Sequence, residues 1–237
     1  MALPDHILWP IHTLTPETVH INPVPFSRSG GATLGGISTN TRTDRGWMSI
    51  GYRGISLYEP AHRRLWNAIR VGLSGKAGLL VVPAWSFDSA VWPEGSVDGQ
   101  ILTTHSDGTP HSDGTPYAQP AIGAEIVEAV GIGATIVRLR ALFGIEELSG
   151  IRFSYQHALY ETGFPLSIDD DVWQVPITPT IRAPIPAGAE LEVGCPTCLV
   201  HLAEDSGMDI ALSSGRYNTA DLDFVEAVDV WNALAAA

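Results

Sequence analysis

Two cysteines and a histidine lie close enough in the sequence to suggest a redox or zinc site. Cys195-Pro-Thr-Cys198 places two thiols three positions apart, and His201 follows three positions later. A redox-active pair of this kind needs a helix N-terminus to lower the thiol pKa, whereas both flanking segments have the pattern of strands. A structural zinc site needs four ligands, and the chain has no other cysteine. We therefore predict two reduced thiols at a turn and no metal.

A tandem repeat supplies a second set of possible ligands. His105-Ser-Asp-Gly-Thr-Pro110 is followed directly by His111-Ser-Asp-Gly-Thr-Pro116. The two histidines and two aspartates could converge on a cation if the two turns stacked. Because Asp-Gly and Thr-Pro favour tight turns, we interpret the repeat as a solvated loop. The run Asp169-Asp170-Asp171 lacks the spaced ligands and the glycine of a calcium loop, so we interpret it as a solvated turn as well.

Motifs for catalysis are missing from the sequence. It contains no Gly-x-Ser-x-Gly elbow, no phosphate loop and no His-Glu-x-x-His zinc motif. A hydrolase that degrades the cell envelope would need two carboxylates at a defined separation, and the sequence alone pairs none of its candidate acids. Those candidates are Asp107, Asp113, Glu146 and Glu147. We predict that the chain is not an enzyme and has no catalytic residue and no cofactor.

The hydrophobic periodicity indicates one helix among many strands. Apolar residues recur every four positions from Ala61 to Leu73, and Pro60 suits a first helical turn, so we predict a helix over residues 60–73. Period-two alternation elsewhere is typical of strands that bury one face. The predicted strands are Trp47–Tyr58, Leu79–Pro83, Ile136–Leu142, Ile151–Leu159, Ala189–Val193, Cys198–Leu202 and Asp221–Val228.

These elements predict a mainly β fold, an antiparallel β-sandwich or barrel with one packed α-helix. The 237 residues are enough for one such domain with a sizeable core. Residues 84–120, which contain the repeat, are predicted to form a long, turn-rich insertion. The N-terminus has no signal-peptide pattern, and glutamates interrupt the most apolar stretch, residues 121–137, so we expect no membrane insertion.

The charge is acidic overall and unevenly distributed. The net charge is −13; residues 1–76 hold eight basic and four acidic residues, whereas residues 77–237 hold five basic and 22 acidic residues. Proteins that grip a nucleic acid duplex have the opposite balance, so we expect no sequence-specific nucleic acid partner. The gradient has two interpretations: solubility with an accidental asymmetry, or a two-faced subunit whose opposite charges meet neighbours in an assembly.

Several segments, taken in order, resemble the minor tail and distal-tail (tail-tip) proteins of bacteriophages with long non-contractile tails. They lie between Pro23 and Val228 and contain no catalytic motif. The segments are Arg64–Ile69 with Gly75–Pro83, His111–Tyr117, Gly150–His157, Pro179–Gly188, Cys195–Ala203 and Phe224–Ala227.

The resemblance implies a virion structural protein of the tail, assembled in the host cytoplasm. Distal-tail proteins typically form six-fold rings that join the tail tube to the host-recognition tip. The implied partners are therefore further copies of the chain in a ring and the neighbouring tube, hub and tip proteins. An acidic lumen would repel the passing genome in such a ring. The alternative is a carbohydrate- or receptor-binding module of the tail tip that uses exposed aromatic residues such as Trp85 and Trp92.

Overall fold

The computed structural model describes residues 6–32, 35, 38–84, 96–97, 100–103, 117–120, 122–210 and 218–236. These residues form sixteen strands and two α-helices. The strands are β1 (Ile7–Leu8), β2 (Thr18–Ala32), β3 (Ser38–Ser56), β4 (Leu80–Pro83), β5 (Ser96–Val97), β6 (Gln100–Thr103), β7 (Tyr117–Pro120), β8 (Gly123–Ile126), β9 (Ile136–Phe143), β10 (Arg152–Tyr155), β11 (Ala158–Thr162), β12 (Ser167–Asp169), β13 (Val172–Thr178), β14 (Glu190–Leu191), β15 (Thr197–Leu202) and β16 (Thr219–Glu226). The helices are α1 (Pro60–Leu73) and α2 (Val228–Ala236).

The first layer is a six-stranded sheet covered by α1. Its strand order is β1-β4-β15-β16-β3-β2, antiparallel except for β1 and β4. Helix α1 starts at a proline and ends at Ser74, whose left-handed backbone lets its N–H donate to the Arg70 carbonyl. It buries Trp66, Ile69 and Leu73 against the sheet, so the predicted helix over residues 60–73 is confirmed.

Aromatic rings fill the core beneath α1. The ring of Trp9 meets those of Tyr52, Trp66 and Phe224 edge to face, with centroids 5.5, 6.4 and 6.0 Å away. The indole N–H of Trp9 donates to the Leu14 carbonyl, and that of Trp66 donates to the Met208 carbonyl. Edge-to-face pairs at these distances stabilise a core beyond the area that they bury.

The second layer is a nearly closed barrel. Its strand order is β10-β11-β13-β9-β8-β14, and a two-way backbone bridge between Ser154 and Glu192 links the last strand to the first. Inward side chains of β9, such as Val137 and Leu139, fill its interior, while Arg138 on the same strand points away from it, as the alternation predicts. The prediction of a mainly β fold, a sandwich or barrel with a packed helix, is confirmed.

Strands β4 and β15 belong to both cores. Val82 and Cys198 pack under α1, whereas their neighbours Val81 and Leu199 pack into the barrel core. Strand β4 and residues 198–200 of β15 are therefore buried on both faces, which explains the apolar sequence of these segments. The second helix, α2, was not predicted from the sequence; it places Trp231 in the barrel core.

The predicted single strand over Ile151–Leu159 is wrong. The segment forms the β10–β11 hairpin, with the turn at Gln156 and His157, whose φ angles are 49° and 67°. Positive φ at both central positions is the geometry of a tight hairpin turn, which usually takes glycine or asparagine. Neither residue is a common turn signal, so the alternation on both sides looked continuous.

The described part of the predicted insertion, residues 84–120, contains a small antiparallel sheet of β5, β6 and β7. The tandem repeat of residues 105–116, with Asp107 and Asp113, lies outside the described residues. The same is true of Trp85 and Trp92.

Strands β2 and β3 form a ribbon that extends beyond the six-stranded sheet. Strand β16 pairs with β3 only as far as Ser49, whereas β2 and β3 continue to pair up to Ala32 and Ser38. At about 3.3 Å per residue, the part of β3 before Gly46 is roughly 25 Å long. We call residues 25–32 and 38–45 the outer ribbon.

Candidate interaction surfaces

The two cysteines of the pair lie in different environments. Cys198 is fully buried on β15, and burial raises its pKa, with the nearby Glu226 carboxylate adding to the effect. Cys195 is half-buried before the strand, and its backbone N–H donates to Glu192 Oε1 at 2.8 Å. The two thiols form no disulfide with each other. No helix begins at this pair, so the redox activation considered from the sequence has no structural basis.

His201 has contacts of its own rather than a place beside the thiols. Its Nδ1 lies 2.9 Å from the Gly78 carbonyl oxygen, and its Nε2 lies 2.9 Å from Asp229 Oδ1. Burial raises the pKa of Asp229, but the hydrogen bond and charge of His201 outweigh it, so that the pKa of Asp229 is lowered overall. The histidine thus ties β15 to α2. No group of three His, Cys, Asp or Glu side chains with metal-binding geometry occurs in the described residues.

The acidic candidates are exposed and dispersed. Glu146 and Glu147 follow β9, where Glu147 accepts a hydrogen bond from the Ser149 hydroxyl. Asp169 and Asp170 lie at the tip of the β12–β13 hairpin, and Asp171 forms an ion pair with Arg140 at 2.7 Å. These positions fit the predicted solvated turn.

A buried charge cluster links the two layers. Arg182, in the segment after β13, donates from Nε to Glu226 Oε1 at 2.8 Å and from Nη2 to Oε2 at 3.1 Å. Their side chains are 8% and 0% exposed. Glu226 also accepts from the Met48 N–H at 3.0 Å, and Arg182 Nη2 donates to the Gly46 carbonyl. The Arg182 N–H donates to the Tyr160 hydroxyl, and burial raises the pKa of Tyr160. Because internal partners satisfy these groups, the cluster is structural.

An apolar edge is the most exposed hydrophobic feature of the described residues. Phe164, Leu166 and Ile168 are 87%, 59% and 52% exposed, and they alternate along the segment that leads into β12. We call these three residues the apolar edge. Leu166 and Ile136, which is also exposed, both line a cleft of about 540 Å³.

Backbone hydrogen bonds hold the apolar edge against β13, although the chain bends at Phe164 and Leu166. Gly163 N–H donates to the Pro176 carbonyl and Leu166 N–H donates to the Gln174 carbonyl, both at 2.8 Å, so the segment follows β13. Among the described strands β12 has one neighbour, β13, and its other side has no partner strand. This edge was not predicted, because the region was interpreted from its sequence only as an acidic turn. The signal was present as Phe-Pro-Leu-Ser-Ile, three apolar residues at period two.

Comparison with known proteins adds no relative. No protein-family model matches the chain, and no curated protein matches it. In the described residues, no helix is both long and apolar enough to cross a membrane.

Proposed function

We propose that the chain is a virion structural protein of a phage tail, a ring subunit of the distal tail or tail tip that joins the tail tube to the host-recognition tip. The observation that carries the proposal is the apolar edge, where three large apolar side chains are more than half exposed in and just before β12, a strand with no second neighbour among the described strands. Such a surface is a site of protein–protein contact, and its function is assembly.

The physical reason is the cost of leaving this edge in water. An unpaired edge presents backbone N–H and C=O groups that can pair with a strand of another chain, and native proteins usually blunt such edges with charges or short strands. Strand β12 is itself short and ends at Asp169, but the large side chains in it and just before it, Phe164, Leu166 and Ile168, are apolar and exposed. Strand addition would satisfy the backbone and bury Phe164, Leu166 and Ile168 together, which is a common mode of recognition between proteins.

The outer ribbon supports the same proposal. A two-stranded ribbon without a third strand is only marginally stable by itself in water. Its β3 half pairs with β2 but not with β16, so a further contact from a neighbour would stabilise it. In a ring of identical subunits, each contact joins two different patches. The outer ribbon and the apolar edge are two different surfaces, so together they meet this requirement.

The assignment to a phage tail comes from the resemblance of segments between Pro23 and Val228 to distal-tail and minor tail proteins. A β-barrel subunit with a packed helix and no catalytic cluster in its described part fits such a role. The partners are further copies of the chain in a ring, six-fold in the family that it resembles, and the tube, hub and tip proteins. The place of action is the virion tail after assembly in the host cytoplasm.

The first test measures assembly in solution. Mass photometry of the wild-type chain, alone and with cell lysate fractions that contain tail proteins, should reveal species larger than 25.3 kDa. Phe164→Ser combined with Ile168→Ser should abolish them. The matched control is Val71→Ser, since this exposed valine lies on α1, away from the edge. Equal assembly in the edge variant and the control contradicts a role for the apolar edge.

The second test concerns location. Antibodies raised against the chain should label one end of the tail in electron micrographs of virus particles from cells that carry the gene. Particles that show no label, or label on the head, contradict the tail assignment even if the chain assembles through its edge.

A further inference from the structure

A small pocket with both polar and apolar walls lies beside α1, on the far side of the six-stranded sheet from the barrel. Arg63, Asn67 and Arg70 line it from α1 at spacings of four and three, which place them on one face of the helix. Asn218, just before β16, contributes a second carboxamide. Leu57 and Ile210 supply apolar walls, and the volume is about 190 Å³. We call this the α1 pocket.

The arginines of the α1 pocket differ from five other arginines whose side chains the structure describes. Each of these five holds a carboxylate oxygen within 2.9 Å. They are Arg53, Arg138, Arg140, Arg152 and Arg182. Arg63 is partly buried, yet none of the described residues gives its guanidinium an acceptor. In a chain with 26 acidic and 13 basic residues, a partly buried guanidinium left without a carboxylate is unexpected.

Arg70 is only loosely held. Its Nη1 lies 3.6 Å from Asp209 Oδ1, and both side chains are exposed. An exposed pair at this distance is worth little, so a better acceptor would replace the carboxylate. The pocket thus offers two guanidinium groups, each with five N–H donors, most of whose hydrogen-bonding capacity is not used by the described residues.

We propose that the α1 pocket binds a tetrahedral oxyanion, the phosphate or sulfate group of a small ligand. Arginine suits such a group because its planar fork donates two parallel hydrogen bonds to oxygen atoms, and these charge-assisted bonds are about twice as strong as neutral ones. The volume fits a single charged group better than a drug-sized molecule, which needs about 300 Å³ or more. Asn67 would donate a further hydrogen bond from the same helix face.

The site does not depend on the proposed assembly, since it shares no residue with the apolar edge. Association and anion binding can therefore fail separately. A chain that assembles but binds no anion contradicts only the α1 pocket, and one that binds an anion but stays monomeric contradicts only the assembly proposal.

The test is isothermal titration calorimetry of the full chain with inorganic phosphate, and in parallel with sulfate, at constant ionic strength. We expect saturable binding with a stoichiometry of one. Arg63→Gln should weaken it at least about tenfold. The matched control is Arg64→Gln, which removes the same charge from the next position. The Arg64 side chain is exposed and does not line the pocket, so this variant should bind phosphate with the affinity of the wild type.

Two further variants make the result independent of any folding defect. Arg70→Gln should also weaken phosphate binding, and Asp209→Asn should strengthen it by removing the competing carboxylate. Circular dichroism confirms that each variant is folded. The proposal is overturned if wild-type binding is not saturable, if Arg63→Gln and Arg64→Gln bind phosphate equally, or if acetate binds as tightly as phosphate.

Discussion

The buried charge cluster and the apolar edge invert the usual distribution of residues. One places an arginine and a glutamate in the interior, and the other places Phe164, Leu166 and Ile168 in water. The difference lies in their partners. Every charge of the Arg182–Glu226 pair meets a partner in the same chain, whereas the apolar edge has none among the described strands. The cluster therefore stabilises the fold of the chain itself, whereas the edge is the surface at which we propose that a partner binds.

The largest expected effect comes from breaking the buried pair. Arg182→Met leaves the Glu226 carboxylate buried without its cation, which should lower the free energy of unfolding by about 3–5 kcal/mol. Urea denaturation measures the loss. The double variant Arg182→Met, Glu226→Leu should regain much of it because no charge is left buried. Arg138→Met, which breaks an exposed pair with Glu128, should cost less than about 1 kcal/mol. A double variant no more stable than the single one would show that the pair itself stabilises the fold.

A smaller effect is expected at Tyr160, on the barrel side of the cluster. Tyr160→Phe removes the hydroxyl that accepts the Arg182 N–H at 2.9 Å and leaves this buried donor without a partner. We expect a loss of about 1–3 kcal/mol in urea denaturation. Tyr155→Phe is the control, since Tyr155 lies at the barrel rim and is half-buried. Equal losses in both variants would mean that the hydroxyl does not support the cluster.

A pH-dependent effect, smaller again, is expected at the β10–β11 turn. Burial lowers the pKa of His157, and the neighbouring His6 ring adds to this. Because the folded pKa lies below the unfolded value of about 6.5, the unfolded chain binds the proton more readily. The stability from neutral His157 is therefore complete above pH 6.5 and is lost as the pH falls through the folded pKa.

Thermal melts between pH 8 and pH 5 test this. In the His157→Asn variant, the melting temperature should fall less steeply as the pH decreases. Asparagine suits this position because it tolerates the positive φ. His20→Asn, at an exposed position on β2, should leave the slope as in the wild type. A slope that is equally steep in all three proteins would rule out His157 as its source.

The smallest effect on stability is expected at the apolar edge itself. Phe164→Ser removes a side chain that is 87% exposed, so the free energy of unfolding should change by no more than about 0.5 kcal/mol. Urea denaturation of dilute protein, where association is weakest, measures this change. A loss of about 2 kcal/mol or more would mean that Phe164 packs within the subunit and would remove the contrast with the cluster.

Hydrophobic periodicity predicted the elements that bury one face, because apolar residues recur at regular intervals along such elements. Helix α1 and strand β9 are examples. It failed at Gln156 and His157, where a turn forms without the usual residues because flanking strands impose it. The Arg182–Glu226 pair was beyond prediction, since its members lie 44 positions apart and meet only in the finished fold. The α1 pocket could be predicted only in part. The spacing of Arg63 and Arg70 places them on one face of the helix, but Asn218 meets them only in the folded chain.

The pairing across the six-stranded sheet has a consequence for the time course of folding. Met48 and Glu226, which the sheet brings into contact, are separated by 178 positions. Chains whose contacts are this remote fold slowly, because a long loop must close before the contact contributes. During synthesis, β2 and β3 leave the ribosome early, and β3 cannot pair with β16 until residue 226 has been translated. The chain can complete its first sheet only after β16 has been translated, so nascent chains expose an unfinished sheet throughout the synthesis of the intervening barrel.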